Sequence, residues 1–483
     1  MSVDAPTHED LDRARLRRRR PPGHGARAPE RAVRPPRGRA RVAPQPRDAR
    51  RALAWPVVLF LVSLTIPWMI LIGPLAMSIP RAILVVLVGP CFLRWVRGRA
   101  GAIRAADLCL LAFWAWCGLS LAVVHGPGFA VQPSGILFVE TMGAFLMARC
   151  YIRDADDFLA LARLLFRIVA FLMPFALFEA LTDRDILLQF FAAILPSYAD
   201  AGGDMRAGLY RVQTVFEHPI LFGICTGSAL ALTHLVLGRG ASAFTRWWRS
   251  GVVGGTAFLS LSSAPMAALL AQVFLMVWGW SLRRNPARWR LLWALVAASY
   301  LVVAVGSNQT PVQFYISRFT FDPHTGWHRL LIWQYGSASV LQHPLFGIGF
   351  GEWVRESWMS SSIDMFWLLN AMRHGLPAGL LMLGAFLSAV LAVGWRKGLD
   401  DRLAAYRMAY VIVMTSFFLV GWTVHFWGVS YLWFMFLLGS GLWLLDAPAE
   451  ASQDPSPRRR ARGEAAPDRS RRRRGFEEPR PNA

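Results

Sequence analysis

Three charged side chains lie in polar segments of a chain that is otherwise mostly apolar. Arg211 and Arg329 carry guanidinium groups, which stay charged and can bind phosphate oxygens in a bidentate manner. Asp364 carries a carboxylate that could take a proton from an attacking hydroxyl. If the protein does chemistry, we expect it in the long polar segment at 307–364, which holds Arg329 and Asp364.

Each of these roles has a structural alternative. Arg211 lies where its loop returns to an apolar segment, so it could extend toward lipid phosphates. Asp364 opens an apolar segment and could cap a helix or pair with an arginine. His343 precedes a glycine-rich turn, and we expect it to cap a helix C-terminus rather than act as a base.

Other polar and aromatic residues near the first three are candidates for substrate contacts. Arg318 shares the long polar loop with Arg329, while Arg373 and His374 lie inside the following apolar segment, where they could face a polar cavity. The candidate substrate-binding residues are Arg318, Trp333, His343, Arg373 and His374.

Two short motifs resemble cofactor sites, but their context favours structural roles. Asp154 and Asp156 have the D-x-D spacing that can hold a metal-bound nucleotide diphosphate. They precede an apolar helix, where capping explains them. The glycines at 347–351 resemble half of a dinucleotide fingerprint, without the preceding strand. No cofactor and no metal site is predicted.

The composition is typical of a membrane protein with basic ends. The 483 residues are 55% hydrophobic and only 17% charged, yet the net charge is +22. About a quarter of the residues are charged in soluble domains. The five cysteines lie in or next to apolar segments and lack metal-ligand spacing, so we interpret them as buried hydrophobes.

The apolar segments predict an all-α polytopic membrane protein with about twelve transmembrane helices in residues 52–445. A large outer loop, at 307–364, would separate helices 9 and 10, and a smaller one would lie at 182–216. The predicted spans are 53–72, 75–94, 107–125, 133–150, 158–181, 217–237, 248–263, 265–282, 289–306, 365–394, 404–423 and 426–445.

Loop charge predicts the orientation. The loops on one side are basic, whereas the short loops on the other side carry no Lys or Arg, as the positive-inside rule requires. Both long loops then face outside, which in a bacterium means the periplasmic side of the inner membrane. The inner loops carry Arg94, Arg97, Arg99 and Arg104; Arg149 and Arg153; Arg239, Arg246 and Arg249; Arg283, Arg284, Arg288 and Arg290; and Arg396, Lys397 and Arg402.

The two ends of the chain are predicted to be disordered cytoplasmic tails. Residues 1–51 and 446–483 are rich in Arg and Pro and poor in large hydrophobic residues, so they cannot form a packed core. Their arginine runs, 17–20 and 471–474, favour contact with anionic lipid rather than with nucleic acid.

Several of these motifs together resemble the O-antigen ligase/polymerase family. The resemblance covers about residues 205–395 in motif and about 50–445 in topology. It depends on Arg211 with His218-Pro219-Ile220, on Arg329-x-x-x-Trp333, on Pro344-Leu345-Phe346-Gly347-x-Gly349-x-Gly351, and on Gly375-Leu376-Pro377-Ala378-Gly379.

The resemblance implies a metal-independent glycosyltransferase that uses a glycan on undecaprenyl diphosphate. Polymerases of the family transfer the chain to another lipid-linked repeat unit, and ligases transfer it to lipid A-core. A ligase has His-Asn where its helix opens, but this chain has Ser361-Ser362-Ile363-Asp364 there. We therefore expect a polymerase for exopolysaccharide or O-antigen, with Arg211, Arg329 and Asp364 as catalytic residues.

Three alternatives remain at this point. One is the ligase. Another is a flippase or transporter for the same lipid-linked glycans, although no two-half internal repeat is evident. The third is a non-catalytic partner whose basic tails recruit other proteins. The expected partners are the lipid-linked glycan, membrane lipid and other polysaccharide-assembly proteins.

Overall fold

The computed structural model describes residues 52–73, 75–310, 313–315 and 323–448, and its architecture is helical. Within these residues ten helices are long and apolar enough to cross a membrane, so the chain is a multi-pass membrane protein. Arg318 and the predicted tails, apart from residues 446–448, lie outside the described residues.

Successive long helices run back and forth through one bundle, and two short β-hairpins lie at one of its ends. The helices are α1 (Trp55–Ser63), α2 (Ile79–Val96), α3 (Ala105–His125), α4 (Pro127–Tyr151), α5 (Ala155–Thr182), α6 (Ile186–Ala192), α7 (Pro219–Leu237), α8 (Ala243–Phe258), α9 (Ser263–Ser281), α10 (Arg288–Gly306), α11 (Pro323–Gln342), α12 (Phe366–Trp395), α13 (Asp401–Val420) and α14 (Gly428–Leu445). The strands are β1 (Met69–Ile72), β2 (Leu75–Ser78), β3 (Met205–Arg206) and β4 (Leu209–Tyr210), paired antiparallel as β1–β2 and β3–β4.

The predicted count of twelve spans is not confirmed. The segment 53–72 forms only the nine-residue α1 and then turns into the β1–β2 hairpin, because Pro67 cannot continue a helix. The segment 248–263 lies mainly in α8, whose 16 residues reach about 24 Å. The long polar segment, which contains α11, therefore separates the seventh and eighth candidate spans of the described chain rather than the ninth and tenth.

The loops predicted to be basic meet at one end of the bundle, which we call the basic end. Asp446 pairs with Arg104 and, at 3.8 Å, with Arg153. Arg402 pairs with Asp156. The Asp446 contacts join the α2–α3 and α4–α5 loops to the end of α14, and the Arg402 contact joins the start of α13 to the start of α5. Loops that are predicted to lie on the same side of the membrane therefore lie at the same end of the bundle.

The D-x-D motif lies at this end and caps a helix. Asp154 is the N-cap of α5, and its Oδ1 accepts hydrogen bonds from the backbone N–H groups of Asp156 and Asp157 at 2.9 and 2.8 Å. These bonds satisfy helix donors that would otherwise lack partners. The capping interpretation agrees with this geometry.

The last helix, α14, forms the centre of the bundle. Buried residues make up 89% of it, and Phe434, Met435 and Phe436 have no exposed surface. Its Trp433 indole donates to Ser228 Oγ at 3.0 Å, and the Tyr410 hydroxyl donates to the Leu438 carbonyl at 2.8 Å. Helix α10 is the opposite case: none of its residues is buried, so its apolar surface is left for lipid.

A glycine-rich segment, which we call the 344–351 loop, fills a break in α12. The break is at Gly375, which has φ 83° and ψ 170°. The N–H groups of Ile348 and Gly349 donate to the carbonyls of Met372 and Arg373 at 2.9 and 2.8 Å, so carbonyls freed by the break keep partners.

Helix α3 holds the same loop from its other side. Ser120 Oγ donates to the Phe346 carbonyl at 2.6 Å, and Trp116 Nε1 donates to the His374 carbonyl at 3.0 Å. His125 Nε2 accepts from the Phe350 N–H at 2.9 Å. Since Trp116 and Ser120 lie inside a candidate span, non-helical backbone reaches membrane depth here, where protein partners replace water.

Replacing Gly375 with alanine should undo this docking. An added Cβ would lie 1.9 Å from the Leu345 carbonyl oxygen, and the positive φ disfavours a side chain. We expect Gly375→Ala to lower the free energy of unfolding by about 3 kcal/mol or more. Thermal unfolding in detergent would measure the loss.

Gly384→Ala, on the same helix, is the matched control. There the added Cβ would meet only Cys109 Sγ, at 3.8 Å, which is ordinary contact. Equal unfolding temperatures for the two variants would show that the packing of the 344–351 loop does not require a residue without a side chain at position 375.

Candidate functional site

The predicted catalytic residues gather at the end opposite the basic end, around the segment that joins α13 to α14. We call this segment, residues 421–427, the 421–427 loop. Arg329 Nε donates to the Thr423 carbonyl at 2.8 Å. The Phe366 N–H donates to the Val424 carbonyl at 3.1 Å, which fixes the start of α12 just after Asp364.

Arg329 is held on α11 in a buried position. Only 5% of the residue is exposed, although an arginine is usually at the surface. Trp333, one turn later, packs edge-on against Trp422 with ring centroids 5.9 Å apart. Gly336 lets α11 approach α12 closely, since a Cβ there would lie 2.7 Å from Leu368 Cδ2. The pattern Arg329-x-x-x-Trp333 therefore places both side chains toward the 421–427 loop.

Two imidazoles flank one indole in this region. The Trp427 ring lies 5.9 Å from the His425 ring and 6.3 Å from the His218 ring, between centroids. His425 also stacks on Phe366, at 6.2 Å and 15°. The sequence analysis missed His425 and Trp427 and gave His218 no role; the only available signal was polar and aromatic residues in a short loop between two apolar helices.

His218 is neutral at physiological pH. Its Nδ1 accepts the Ile220 N–H at 3.1 Å and caps α7, so the ring proton is on Nε2. Burial lowers the pKa of His218 to about 4; the positive charge of Arg211 adds to this lowering, and the negative charge of Asp364 opposes it. The His218 ring therefore lies within electrostatic range of both predicted catalytic residues.

Arg211 is anchored by protein groups rather than extended to lipid. Its Nη1 lies 3.0 Å from Asp204 Oδ2, and its Nη2 donates to Ser262 Oγ at 2.8 Å. Burial, reinforced by the charge of Arg206, lowers the pKa of Arg211, while Asp204 opposes the lowering. The β3–β4 hairpin and the start of α9 together fix the guanidinium.

Asp364 neither caps α12 nor pairs with an arginine among the described residues. Met365 is the N-cap position of α12, and its side chain makes no capping bond. Asp364 Oδ1 accepts the Ser362 hydroxyl at 2.6 Å, and the residue is only partly buried. Among the described residues, therefore, neither a helix cap nor an arginine partner accounts for Asp364, and a carboxylate can accept more than this one hydrogen bond.

Behind His218 lies a second polar group that the sequence analysis missed. Glu217 packs against Gly428 at the start of α14, where a Cβ would come within 1.9 Å of Glu217 Oε1. Burial raises the pKa of Glu217, while hydrogen bonds from Tyr198 and from the Val429 N–H oppose that rise. The carboxylate therefore ties the start of α7 to the start of α14.

Two other predicted residues lie in different surroundings. His343 follows the end of α11 with its side chain exposed, and its carbonyl accepts the Gly347 N–H at 3.1 Å. His374 is buried, with Nδ1 3.3 Å from Ser120 Oγ, so its contacts hold α12 against α3 just before the break at Gly375. Arg373 points instead toward Phe350, whose ring centroid is 5.2 Å from its guanidinium carbon.

Within the described ranges, no three His, Cys, Asp or Glu side chains are grouped so that they could hold a metal ion. Comparison of the whole chain with protein-family models and with curated proteins finds no match. The family resemblance therefore depends on the short motifs and the predicted topology, and the chemistry of this site follows from its residues.

Proposed function

We propose that the protein is a membrane glycosyltransferase that polymerises undecaprenyl-diphosphate-linked repeat units at the periplasmic face of the bacterial inner membrane. The observation that carries the proposal is the convergence of Arg211, Arg329 and Asp364 on the surroundings of His218 and the 421–427 loop. These residues come from four separate parts of the chain. Guanidinium groups suit the binding of a diphosphate leaving group, and a carboxylate suits the activation of an attacking hydroxyl.

The proposed step is one displacement at the anomeric carbon of the donor. The acceptor hydroxyl oxygen forms the new bond, and its proton goes to the Asp364 carboxylate. The bond from the anomeric carbon to the diphosphate oxygen breaks, and its electron pair leaves with the diphosphate. Arg211 and Arg329 stabilise that added charge, so neither a metal ion nor a nucleotide is needed.

Neutral His218 suits the same step. With Nδ1 occupied by the α7 cap, its Nε2–H is the group left to donate to an oxygen of the substrate. A neutral donor can bind the diphosphate without giving up its proton at neutral pH. Trp427 beside it offers an aromatic surface on which a sugar ring can stack.

The ligase and the flippase remain competing proposals. A ligase would use the same donor chemistry, and the absence of His-Asn before α12 argues against it. A flippase would need its binding residues along a path between the two ends of the bundle. The clustering of the candidate residues at one end favours the enzyme.

The deciding experiment is the size distribution of surface and lipid-linked glycans in cells with and without this protein, resolved on a gel. Loss of long polymer, with single repeat units accumulating on the carrier lipid, supports the polymerase. Long polymer retained on the carrier lipid with bare lipid A-core indicates the ligase. Repeat units confined to the inner leaflet indicate the flippase, and unchanged glycans contradict all three.

A further inference from the structure

A pocket of ≈ 140 Å³ lies between the end of the 344–351 loop, the residues before α12 and Arg373 of α12, and it has no assigned ligand. Arg373 and Phe350 form one part of its wall, and Trp353 forms another. Ser361 and Ile363 also line it, and Ile363 is the residue immediately before Asp364. The pocket wall therefore lies one residue along the chain from the proposed base, which does not itself line the pocket.

The charge of Arg373 is not balanced by a neighbouring acid. Among the described residues, no Asp or Glu is paired with it, and its guanidinium carbon lies over the Phe350 ring, 5.2 Å from the ring centroid. Glu352 also lines the pocket, but its carboxylate is already paired with Arg355. A half-buried guanidinium is costly without a partner, so the ligand is the natural source of a negative group.

The rest of the lining suits a sugar. The Phe350 ring is 48% exposed, and it can pack against the apolar C–H face of a pyranose. Ser361 supplies a hydroxyl and the 349–351 backbone supplies carbonyl oxygens for sugar hydroxyls, since the N–H groups of that backbone already donate to protein acceptors. Trp353 is fixed in place, because its Nε1 donates to the Ser361 carbonyl at 3.1 Å.

We propose that this pocket is the acceptor subsite and that it takes a sugar bearing a carboxylate, held by Arg373. The assignment as an acceptor subsite rests on the proposed function, because it assumes that Asp364 is the base. The binding of an acidic sugar in this pocket does not depend on the proposed function. A diphosphate would also attract a guanidinium, so the test has to distinguish these two anions.

The test is ligand binding by saturation-transfer-difference NMR on the full-length protein in lipid nanodiscs. Glucuronate and glucose are compared at equal millimolar concentration, because they differ only in the carboxylate. We expect a glucuronate signal at least about tenfold above that of glucose, lowered to the glucose level in Arg373→Gln and partly kept in Arg373→Lys. Arg97→Gln, an exposed arginine at the basic end, is the charge-matched control and should bind as the wild type does.

Three results would overturn the proposal. Equal signals for glucose and glucuronate, or no signal for glucuronate, would show that the pocket does not select a carboxylate. Displacement of glucuronate by equimolar inorganic diphosphate would show that Arg373 belongs to the donor leaving group. A glucuronate signal that persists in Arg373→Gln would place the sugar elsewhere. Binding needs no turnover, so a protein without polymerase activity can still pass this test.

Discussion

Arg329→Ala is expected to lower polymer output about 10²–10³-fold at equal protein level, the loss typical of one deleted electrostatic donor. The guanidinium is buried, and its Nε is fixed on the Thr423 carbonyl, so it is oriented before the substrate arrives. Under the proposed mechanism, preorganised charge of this kind would stabilise the departing diphosphate without rearrangement. The measurement is polymer on a gel, normalised to protein detected in the membrane.

The control has to separate chemistry from folding, because Arg329 also supports the 421–427 loop. Arg329→Lys keeps the charge but loses the planar fork, so it should fold normally and recover only part of the output. Arg402→Ala breaks a partly exposed ion pair at the basic end and should change output little. If Arg329→Ala gives normal polymer, the diphosphate role of this residue is wrong.

Asp364→Asn should lower polymer output about 10²–10⁴-fold, as expected when a general base is removed. In the wild type, the Ser362 hydroxyl donates to Asp364 Oδ1 at 2.6 Å, and asparagine keeps an oxygen that can accept this hydrogen bond. The start of α12 should therefore not change. The loss would then come from the missing proton acceptor. Output is measured as for Arg329, and thermal unfolding in detergent checks the fold.

Ser362→Ala is the matched control for Asp364. It removes the hydrogen bond but keeps the carboxylate, so a much smaller loss is expected. A Ser362→Ala defect as large as that of Asp364→Asn would mean that the hydrogen bond, rather than the proton transfer, matters. Near-normal output from both Asp364→Asn and Arg329→Ala would remove the proposed mechanism.

Local sequence signals predicted the features that depend on a few neighbouring residues. The apolar segments indicated most of the spans, and the capping role of Asp154 was evident because a cap acts within three residues. The exception at α1 also has a local cause. Pro67 interrupts an apolar run, but hydropathy averaged over a window does not register a single proline.

The candidate site was harder to predict because its members meet through distant contacts. Arg329 and Thr423 are 94 positions apart, and nothing near Thr423 indicates that an arginine will bind its carbonyl. His425 and Trp427 become notable only once α7 and α12 are placed beside them. The glycine turn at 344–351 was predicted, whereas its insertion beside Gly375 depends on Ser120, 226 positions from Phe346.

The central position of α14 has a consequence for biosynthesis. The helix that fills the middle of the bundle is synthesised after every other described helix, and its end pairs Asp446 with Arg104, 342 positions earlier. Until α14 is inserted, the inner faces of the earlier helices in the membrane are not covered by it. Assembly of the interior is therefore a late event, and the nascent chain passes through a long stage in which quality-control proteases and insertion chaperones can act on it.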